Sequence, residues 1–205
     1  MNSLNYNKVS SMKHKKIFIL LGHPDSGPEP LSRQLADAYT AAARKAGHEV
    51  RRTDLSALQF DPILHKGYRA RQELEADLLK VQEDMTWCEH FVLFFPNWWG
   101  GMPALLKGMW ERMFLPRFAF SMWKNKLGWT PLLRGRTARI VVTCSNPVIL
   151  DYLAFGDFAA SAKRSILWFA GFSTCVTAIG KSERLSEGKK TLWSRRVAVL
   201  GKYAR

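Results

Sequence analysis

The sequence lacks an apolar run long enough to cross a membrane, and it has few cysteines. No stretch approaches the roughly 18 to 20 consecutive apolar residues that a transmembrane helix needs. The three cysteines, Cys88, Cys144 and Cys175, are odd in number and far apart, which fits neither a disulfide framework nor a zinc site. These absences predict a soluble protein in a reducing compartment, namely the cytoplasm.

Acidic residues are scarce relative to basic ones. The chain has 17 Asp and Glu against 31 Lys and Arg, which gives a formal net charge of +14. The excess is concentrated in residues 131–205, which contain thirteen basic and four acidic residues. Such a balance favours a partner that carries phosphate, whether nucleic acid, acidic lipid or a dinucleotide. A solvated basic surface without a dedicated anion is the alternative interpretation.

Two nucleotide-binding motifs are absent as well. Neither G-x-G-x-x-G nor G-x-x-x-x-G-K-[ST] occurs, so the chain has neither a Rossmann dinucleotide fingerprint nor a P-loop. The five histidines are scattered, which predicts no metal site, and no repeat or linker divides the chain. We therefore expect one folded domain over residues 13–205, preceded by a disordered tail over residues 1–12.

Short apolar runs alternate with segments of helical periodicity along the chain. Continuous apolarity over so few residues is typical of strands that are covered on both faces. The pattern predicts an α/β fold, a doubly wound five-stranded parallel sheet with helices on both faces. The predicted strands are 16–22, 48–55, 91–95, 138–143 and 173–179, and the predicted helices are 31–46, 74–88, 103–114, 159–169 and 186–200.

In a doubly wound sheet, ligands lie outside the carboxyl ends of the strands. Three loops would meet there, namely residues 22–30, 96–101 and 144–147. The second of these holds Trp98 and Trp99 between a proline and two glycines, which predicts an apolar wall for a flat aromatic ligand. The alternative is that the two indoles fill the core or a dimer contact.

Three segments carry a resemblance to a known family: GHPD, FPNWWGGMPALLKGMWERMFLPRFAF and ILWFAGFS. In this order they resemble the flavodoxin-like NAD(P)H:quinone oxidoreductases, which include the ancillary subunits of potassium-efflux systems and the drug-activity modulators. The resemblance implies a bound flavin, FAD or FMN, with NAD(P)H as co-substrate. It also implies ping-pong, two-electron reduction of a quinone or similar small-molecule acceptor, and a homodimer.

The resemblance also implies roles for individual positions. His23 matches a residue beside the flavin's phosphate or ribityl chain, and Tyr152 lies near the position of a tyrosine that assists hydride transfer. The other implied cofactor-binding residues are Ser26, Ser32, Pro96, Asn97, Trp98, Trp99, Gly100, Thr143, Cys144 and Ser145. The residues implied for the substrate pocket are Trp99, Phe118, Phe120 and Met122.

The first loop departs from the family pattern at Pro28, Glu29 and Pro30. A glutamate there opposes a phosphate electrostatically, and each proline removes an amide donor. The alternative function is therefore a regulatory or ancillary module with weak or lost flavin. Such a module would associate with a transporter, or would use its basic face to bind a membrane surface or nucleic acid, of which nucleic acid is the less expected partner. The sequence does not decide between FMN and FAD or between NADH and NADPH, and it does not identify the acceptor.

Overall fold

The protein is described by a computed structural model over residues 13–124 and 127–205. The predicted tail over residues 1–12 lies outside the described residues. Five strands form one sheet in the order β2-β1-β3-β6-β7, and every neighbouring pair is parallel. A separate antiparallel hairpin pairs β4 with β5. The strands are β1 Lys16–Leu21, β2 Glu49–Asp54, β3 His90–Pro96, β4 Phe120–Met122, β5 Trp129–Pro131, β6 Thr137–Thr143 and β7 Ser173–Ile179.

Helices cover both faces of the sheet, as the sequence predicts. They are α1 Leu31–Lys45, α2 Ala76–Trp87, α3 Ala104–Met113, α4 Val148–Phe155, a π-helical segment Ser161–Trp168, and α5 Glu187–Tyr203. Alternate residues of β1 point to opposite faces, so Ile17 and Ile19 join one core cluster whereas Phe18 and Leu20 join the other. Helices α1 and α5 cover the first cluster, and α2, α3 and the π-helical segment cover the second. Among the described residues, no helix is long and apolar enough to cross a membrane.

The hairpin and helix α4 are the elements that the sequence did not predict. Each hairpin strand has only three residues, too few to produce a visible alternation. Helix α4 reads VILDYLAF and buries only its aspartate. Its apolar residues therefore do not follow the periodicity of a helix whose apolar face packs on a core.

The position of Arg112 differs from what the sequence of α3 leads us to expect. The residues Lys107, Gly108, Glu111 and Arg112 of α3 are expected from sequence to serve helix packing and a solvated face. Lys107 and Glu111 do form an exposed pair four residues apart. Arg112, however, is 1% exposed and binds the segment before α2 instead. The guanidinium therefore anchors a long loop to the helix.

The sheet order places a topological switch point between β1 and β3. The chain leaves β1 toward β2 on one side and continues from β3 toward β6 on the other. The loops that follow β1 and β3 therefore diverge and leave a crevice at the carboxyl ends of the strands, where ligands of such sheets lie.

Candidate functional site

A cleft of about 410 Å³ occupies this crevice. It brings together seven of the residues implicated from sequence: His23, Ser32, Pro96, Asn97, Trp98, Thr143 and Ser145. A second cleft of about 360 Å³ adjoins it, shares Asn97, Trp98 and Ser145, and adds Trp99, Asn146, Asp151 and Phe155. Together they form one continuous depression, which we call the switch-point cleft.

Other implicated residues lie outside this cleft. Ser26, Gly100 and Cys144 do not line it, and the Cys144 side chain is fully buried. Phe118 lines a separate groove, of about 600 Å³, beside α2. Phe120 and Met122 belong to the hairpin, and Tyr152 is exposed on α4. Of the residues implied for the substrate pocket, Trp99 therefore lines the cleft within one chain, whereas Phe118, Phe120 and Met122 do not.

The loop after β1 is held by hydrogen bonds within itself. The amide of Asp25 donates to Nδ1 of His23 over 3.0 Å, and the amide of Gly27 donates to Oδ1 of Asp25 over 2.8 Å. Burial lowers the pKa of His23, the Arg33 cation lowers it further, and Asp25 opposes the change. Nδ1 of His23 can accept this hydrogen bond only if the ring is neutral, so the ring hydrogen is on Nε2. The ring also meets Trp98 edge-on, with 5.6 Å between centroids.

Ser32 lies in the first turn of α1, facing the cleft. The residue is 1% exposed, and its hydroxyl has no hydrogen-bond partner within the described chain. Helix α1 has no side-chain cap among the described residues. In its first turn the amides of Arg33 and Gln34 donate to the Pro30 carbonyl, so only those of Leu31 and Ser32 remain without a described backbone acceptor. A buried hydroxyl without a partner is costly unless a ligand satisfies it. This end of the cleft therefore suits an oxygen-rich or anionic group.

Asn97 is held in place by the helix that the sequence did not predict. Its side-chain amide donates to Oδ2 of Asp151 over 3.0 Å, and Asn146 donates to Oδ1 of the same carboxylate over 2.9 Å. Asp151 is 3% exposed. The remaining atom, Oδ1 of Asn97, is buried without a donor. Asn97 therefore presents one free acceptor to a ligand that carries an N–H or O–H group.

Sequence reasoning missed Asp151 and Asn146. The signal for Asp151 was present, since it is the only charged residue in the apolar octapeptide VILDYLAF. A lone acid in such a segment either faces solvent or satisfies a buried donor. Its role depends on donors from other loops, which the local pattern does not specify.

Trp98 and Trp99 are carried by a tight turn. The amide of Trp98 donates to the carbonyl of Gly101 over 2.9 Å, and the reverse bond is 3.1 Å. Trp99 and Gly100 have φ of 53° and 76°, as a type I′ turn requires. A glycine tolerates this conformation, whereas a tryptophan is strained in it by roughly 1 kcal/mol. Trp98 is 45% exposed and Trp99 is 96% exposed, so packing within this chain does not explain the strain.

The cleft is acidic although the chain is basic. Asp25, Glu29 and Glu183 line its larger part, and among the described residues Lys190 is the single cation that lines it. Lys190 donates to Glu187 over 2.8 Å, and Glu183 accepts from the Ser145 hydroxyl over 2.7 Å. The positive charge of the chain therefore lies mostly elsewhere, and the cleft disfavours anionic groups beyond one bound at Ser32 and the start of α1.

We expect one rapidly reacting thiol per native chain. Burial, with the nearby Asp151 carboxylate, raises the pKa of Cys144 to about 12, and burial raises the pKa of Cys88 to about 12. Neither thiol forms the nucleophilic thiolate at neutral pH, whereas Cys175 is exposed. Titration with Ellman's reagent should show one fast phase, which the Cys175→Ser variant loses. A fast phase that survives in this variant would show that a buried thiol is accessible.

A parallel sheet with a ligand-sized cleft at its switch point defines the class of open, doubly wound α/β domains. A family model described as a flavodoxin-like fold matches residues 15–194. The chain therefore belongs to the flavodoxin-like family, and the resemblance inferred from the sequence is confirmed.

Similar proteins are named as oxidoreductases. Ribosyldihydronicotinamide dehydrogenase [quinone] of Pongo abelii is 24% identical over 93% of this chain and 94% of its own length. Matches to other curated relatives span about half of those proteins' length, between 46% and 57%. These names support the predicted class of enzyme.

Solved structures share the fold over most of the chain. The Smu.1420 structure from Streptococcus mutans has a TM-score of 0.78 at 30% identity and covers 91% of this chain and 98% of its own. An FMN-dependent NADH-azoreductase from Bacillus anthracis, in complex with FMN, has a TM-score of 0.71 at 15% identity and covers 90% and 96%. At this identity the second structure establishes likeness of fold alone.

Proposed function

We propose that the chain is a flavin-dependent NAD(P)H oxidoreductase that reduces a quinone or a similar small acceptor. One observation carries the proposal: two residues of the switch-point cleft each have a buried polar atom without a hydrogen-bond partner among the described residues, Oγ of Ser32 and Oδ1 of Asn97. They lie beside the half-exposed indole of Trp98. A bound flavin would supply the redox chemistry, two-electron transfer from NAD(P)H to the acceptor in a ping-pong cycle.

The residues of the cleft fit the parts of a flavin. Trp98 would provide an apolar wall for a flat ring. Asn97, fixed by Asp151, would accept a hydrogen bond from a ring N–H or a ribityl hydroxyl. The Ser32 hydroxyl and the amides of Leu31 and Ser32 would donate to a phosphate, as helix N-termini do. Pro28 and Pro30 contribute no donors, so Ser32 would bear more of this interaction.

We propose FMN as the flavin. Asp25, Glu29 and Glu183 would repel each added phosphate, and Lys190 offers the only cation of the larger part of the cleft. FMN has one phosphate, whereas FAD has two. The FMN complex of the azoreductase with the same fold supports this choice.

The first experiment is the visible absorption spectrum of the purified protein, before and after NADPH under nitrogen. A two-banded yellow spectrum that bleaches would support the proposal, and chromatography of the released pigment would distinguish FMN from FAD. A colourless protein that binds neither flavin on titration would overturn it. The regulatory or ancillary module would then be the better interpretation.

The Ser32→Ala variant tests the contact assigned to this hydroxyl. We expect FMN affinity to fall by about 10-fold or more, the range for a hydrogen bond to a charged group. Stability should not fall, because the hydroxyl has no partner in the protein. Ser165→Ala is the matched control, since Ser165 is exposed and outside the cleft. Equal FMN affinity in both variants would remove Ser32 from the cofactor site.

Replacing Trp99 should move stability and ligand affinity in opposite directions. Trp99→Gly relieves the positive φ, so we expect the free energy of unfolding to rise by roughly 0.5–1 kcal/mol. Loss of the indole should weaken binding of the flavin or the acceptor. Trp99→Ala removes the indole without relieving the strain, so it should weaken binding alone. Unchanged affinity in both variants, measured by titration and by KM, would leave the strained conformation without a functional reason.

We propose a homodimer that covers α4. Ile149, Leu150, Leu153 and Phe155 are between 48% and 74% exposed, and Phe155 lines the cleft beside Trp99. Such a contiguous apolar face is typical of a protein interface, and a second copy would close the open side of the cleft. Sedimentation equilibrium should give a dimer for the native chain and a monomer for Leu153→Glu. A monomeric native protein would contradict the proposal.

A further inference from the structure

Helix α5 has a second apolar surface in addition to the one that packs on the sheet. Val197 and Gly201 are buried, on the side of α5 that packs against α1. On the opposite side Leu192, Val199 and Tyr203 are 46%, 55% and 46% exposed. Their spacing of seven and four residues places them on one line along the helix.

Cations border this line on both sides. At about 100° per residue, Lys189 and Arg196 fall on one flank and Arg195 and Lys202 on the other, and all four are exposed. We call these four cations and the three apolar residues between them the basic face of α5. The only acid of α5 is Glu187. It lies off this face and accepts a hydrogen bond from Lys190 over 2.8 Å.

An apolar stripe between two rows of cations is the pattern of a helix at a lipid interface. The apolar side chains enter the boundary between headgroups and acyl chains, and the cations meet the phosphates of anionic lipids. A nucleic acid would use the cations but would gain little from the exposed leucine and valine. We propose that the basic face of α5 docks the protein on an anionic phospholipid bilayer.

The position of the face gives docking a consequence that rests on the proposed function. Lys190, the neighbour of Lys189, lines the switch-point cleft. At about 100° per residue Lys190 falls on the side of α5 opposite the basic face, so docking through that face would leave the cleft open to the water-soluble NAD(P)H. The docking itself does not require a flavin.

Co-sedimentation with vesicles tests the docking. The native protein should bind vesicles that contain phosphatidylglycerol and should bind pure phosphatidylcholine weakly. In the variant Arg195→Gln/Arg196→Gln/Lys202→Gln we expect affinity for the anionic vesicles to fall about 100-fold, as three basic residues at such a surface imply. The matched control is Lys66→Gln/Arg69→Gln/Arg71→Gln, which removes the same charge from exposed positions in the loop before α2. It should stay within about threefold of the native protein, since only long-range attraction is lost.

A second variant separates the contribution of the inserted apolar side chains to vesicle binding from that of the cations. Leu192→Ser/Val199→Ser keeps every cation, and we expect it to bind anionic vesicles about 10-fold more weakly. Equal losses in the two charge variants would overturn the assignment to α5, and so would unchanged binding in the serine variant. Tighter binding to duplex DNA than to vesicles would favour nucleic acid instead. Because vesicle binding is measured without turnover, its failure is distinguishable from failure of the flavin proposal, which the absorption spectrum reports.

Discussion

Replacing Arg112 by methionine is expected to lower the free energy of unfolding by about 1.5–3 kcal/mol, the range for hydrogen bonds to a charged group, because the guanidinium is buried whereas its partner Glu75 is 32% exposed to water. The guanidinium donates to both oxygens of Glu75, over 3.1 and 3.0 Å, and to the carbonyls of Glu73 and Asp61. All of these acceptors belong to the loop between β2 and α2. Methionine fills much of the volume but leaves the acceptors without donors.

The same variant should release the loop locally. Arg69 and Arg71 are exposed in this loop, so trypsin should cut there faster once the anchor is removed. Lys107→Met is the matched control on the same helix, because Lys107 pairs with Glu111 at the exposed surface, where such pairs contribute within about 0.5 kcal/mol. Chemical denaturation measures both variants. Equal free energies of unfolding for Arg112→Met and the native protein would show that solvent replaces the guanidinium at no cost.

The second large effect concerns acid stability and His90. This histidine is 2% exposed at the start of β3, and its Nδ1 lies 2.7 Å from the hydroxyl of Thr137. Burial lowers the pKa of His90 to about 3, and the cations of Lys15 and Arg139 add to the effect. The ring is therefore neutral in the folded state throughout the mildly acidic range.

The sign of the pH dependence of stability follows from the protonation of His90 in the folded and unfolded states. In the unfolded chain the pKa of His90 returns to about 6.5, so below this pH the unfolded state binds one more proton than the folded state. The free energy of unfolding should fall as the pH falls from 6.5 toward 3. The slope approaches about 1.4 kcal/mol per pH unit, or about 3 kcal/mol between pH 6.5 and pH 4.

His90→Asn removes the titrating ring and should flatten the profile between pH 7 and pH 4. His65→Asn is the control, since the His65 ring is exposed and bonded to Asp61, and it should keep the native slope. Urea denaturation at several pH values measures all three proteins. Parallel profiles for the native protein and His90→Asn would show that other groups cause the acid dependence.

Most of the fold could be predicted from local patterns. The predicted strand over residues 173–179 coincides with β7, and the strand over residues 138–143 differs from β6 by one residue. These runs are apolar or β-branched and end at glycine or turn residues, so each signal is contained within the strand itself. The sequence could predict that the sheet is open and doubly wound, because parallel strands with helical crossovers have few allowed arrangements.

The cleft was predictable in part. His23, Asn97 and Trp98 follow strand ends, and the parallel sheet necessarily gathers such residues at one edge. The roles of Asp151 and Arg112 were not predictable, because each depends on acceptors or donors far away in sequence. The hydrogen bond from Asn97 to Asp151 joins residues 54 positions apart, and the bond from Arg112 to Glu75 joins residues 37 apart.

The sequence by itself determined the order of strands and helices, the basic character of the chain and its family, because these properties depend on residues that are neighbours along the chain. Only the tertiary structure decided which polar side chains are buried. Ser32 was implicated only through the family resemblance and Asp151 was not implicated, and both become part of a site because other elements exclude water from them. The acidity of the cleft in a basic protein has the same origin, since folding brings Glu183 to the edge of the sheet where the loop after β1 carries Asp25 and Glu29.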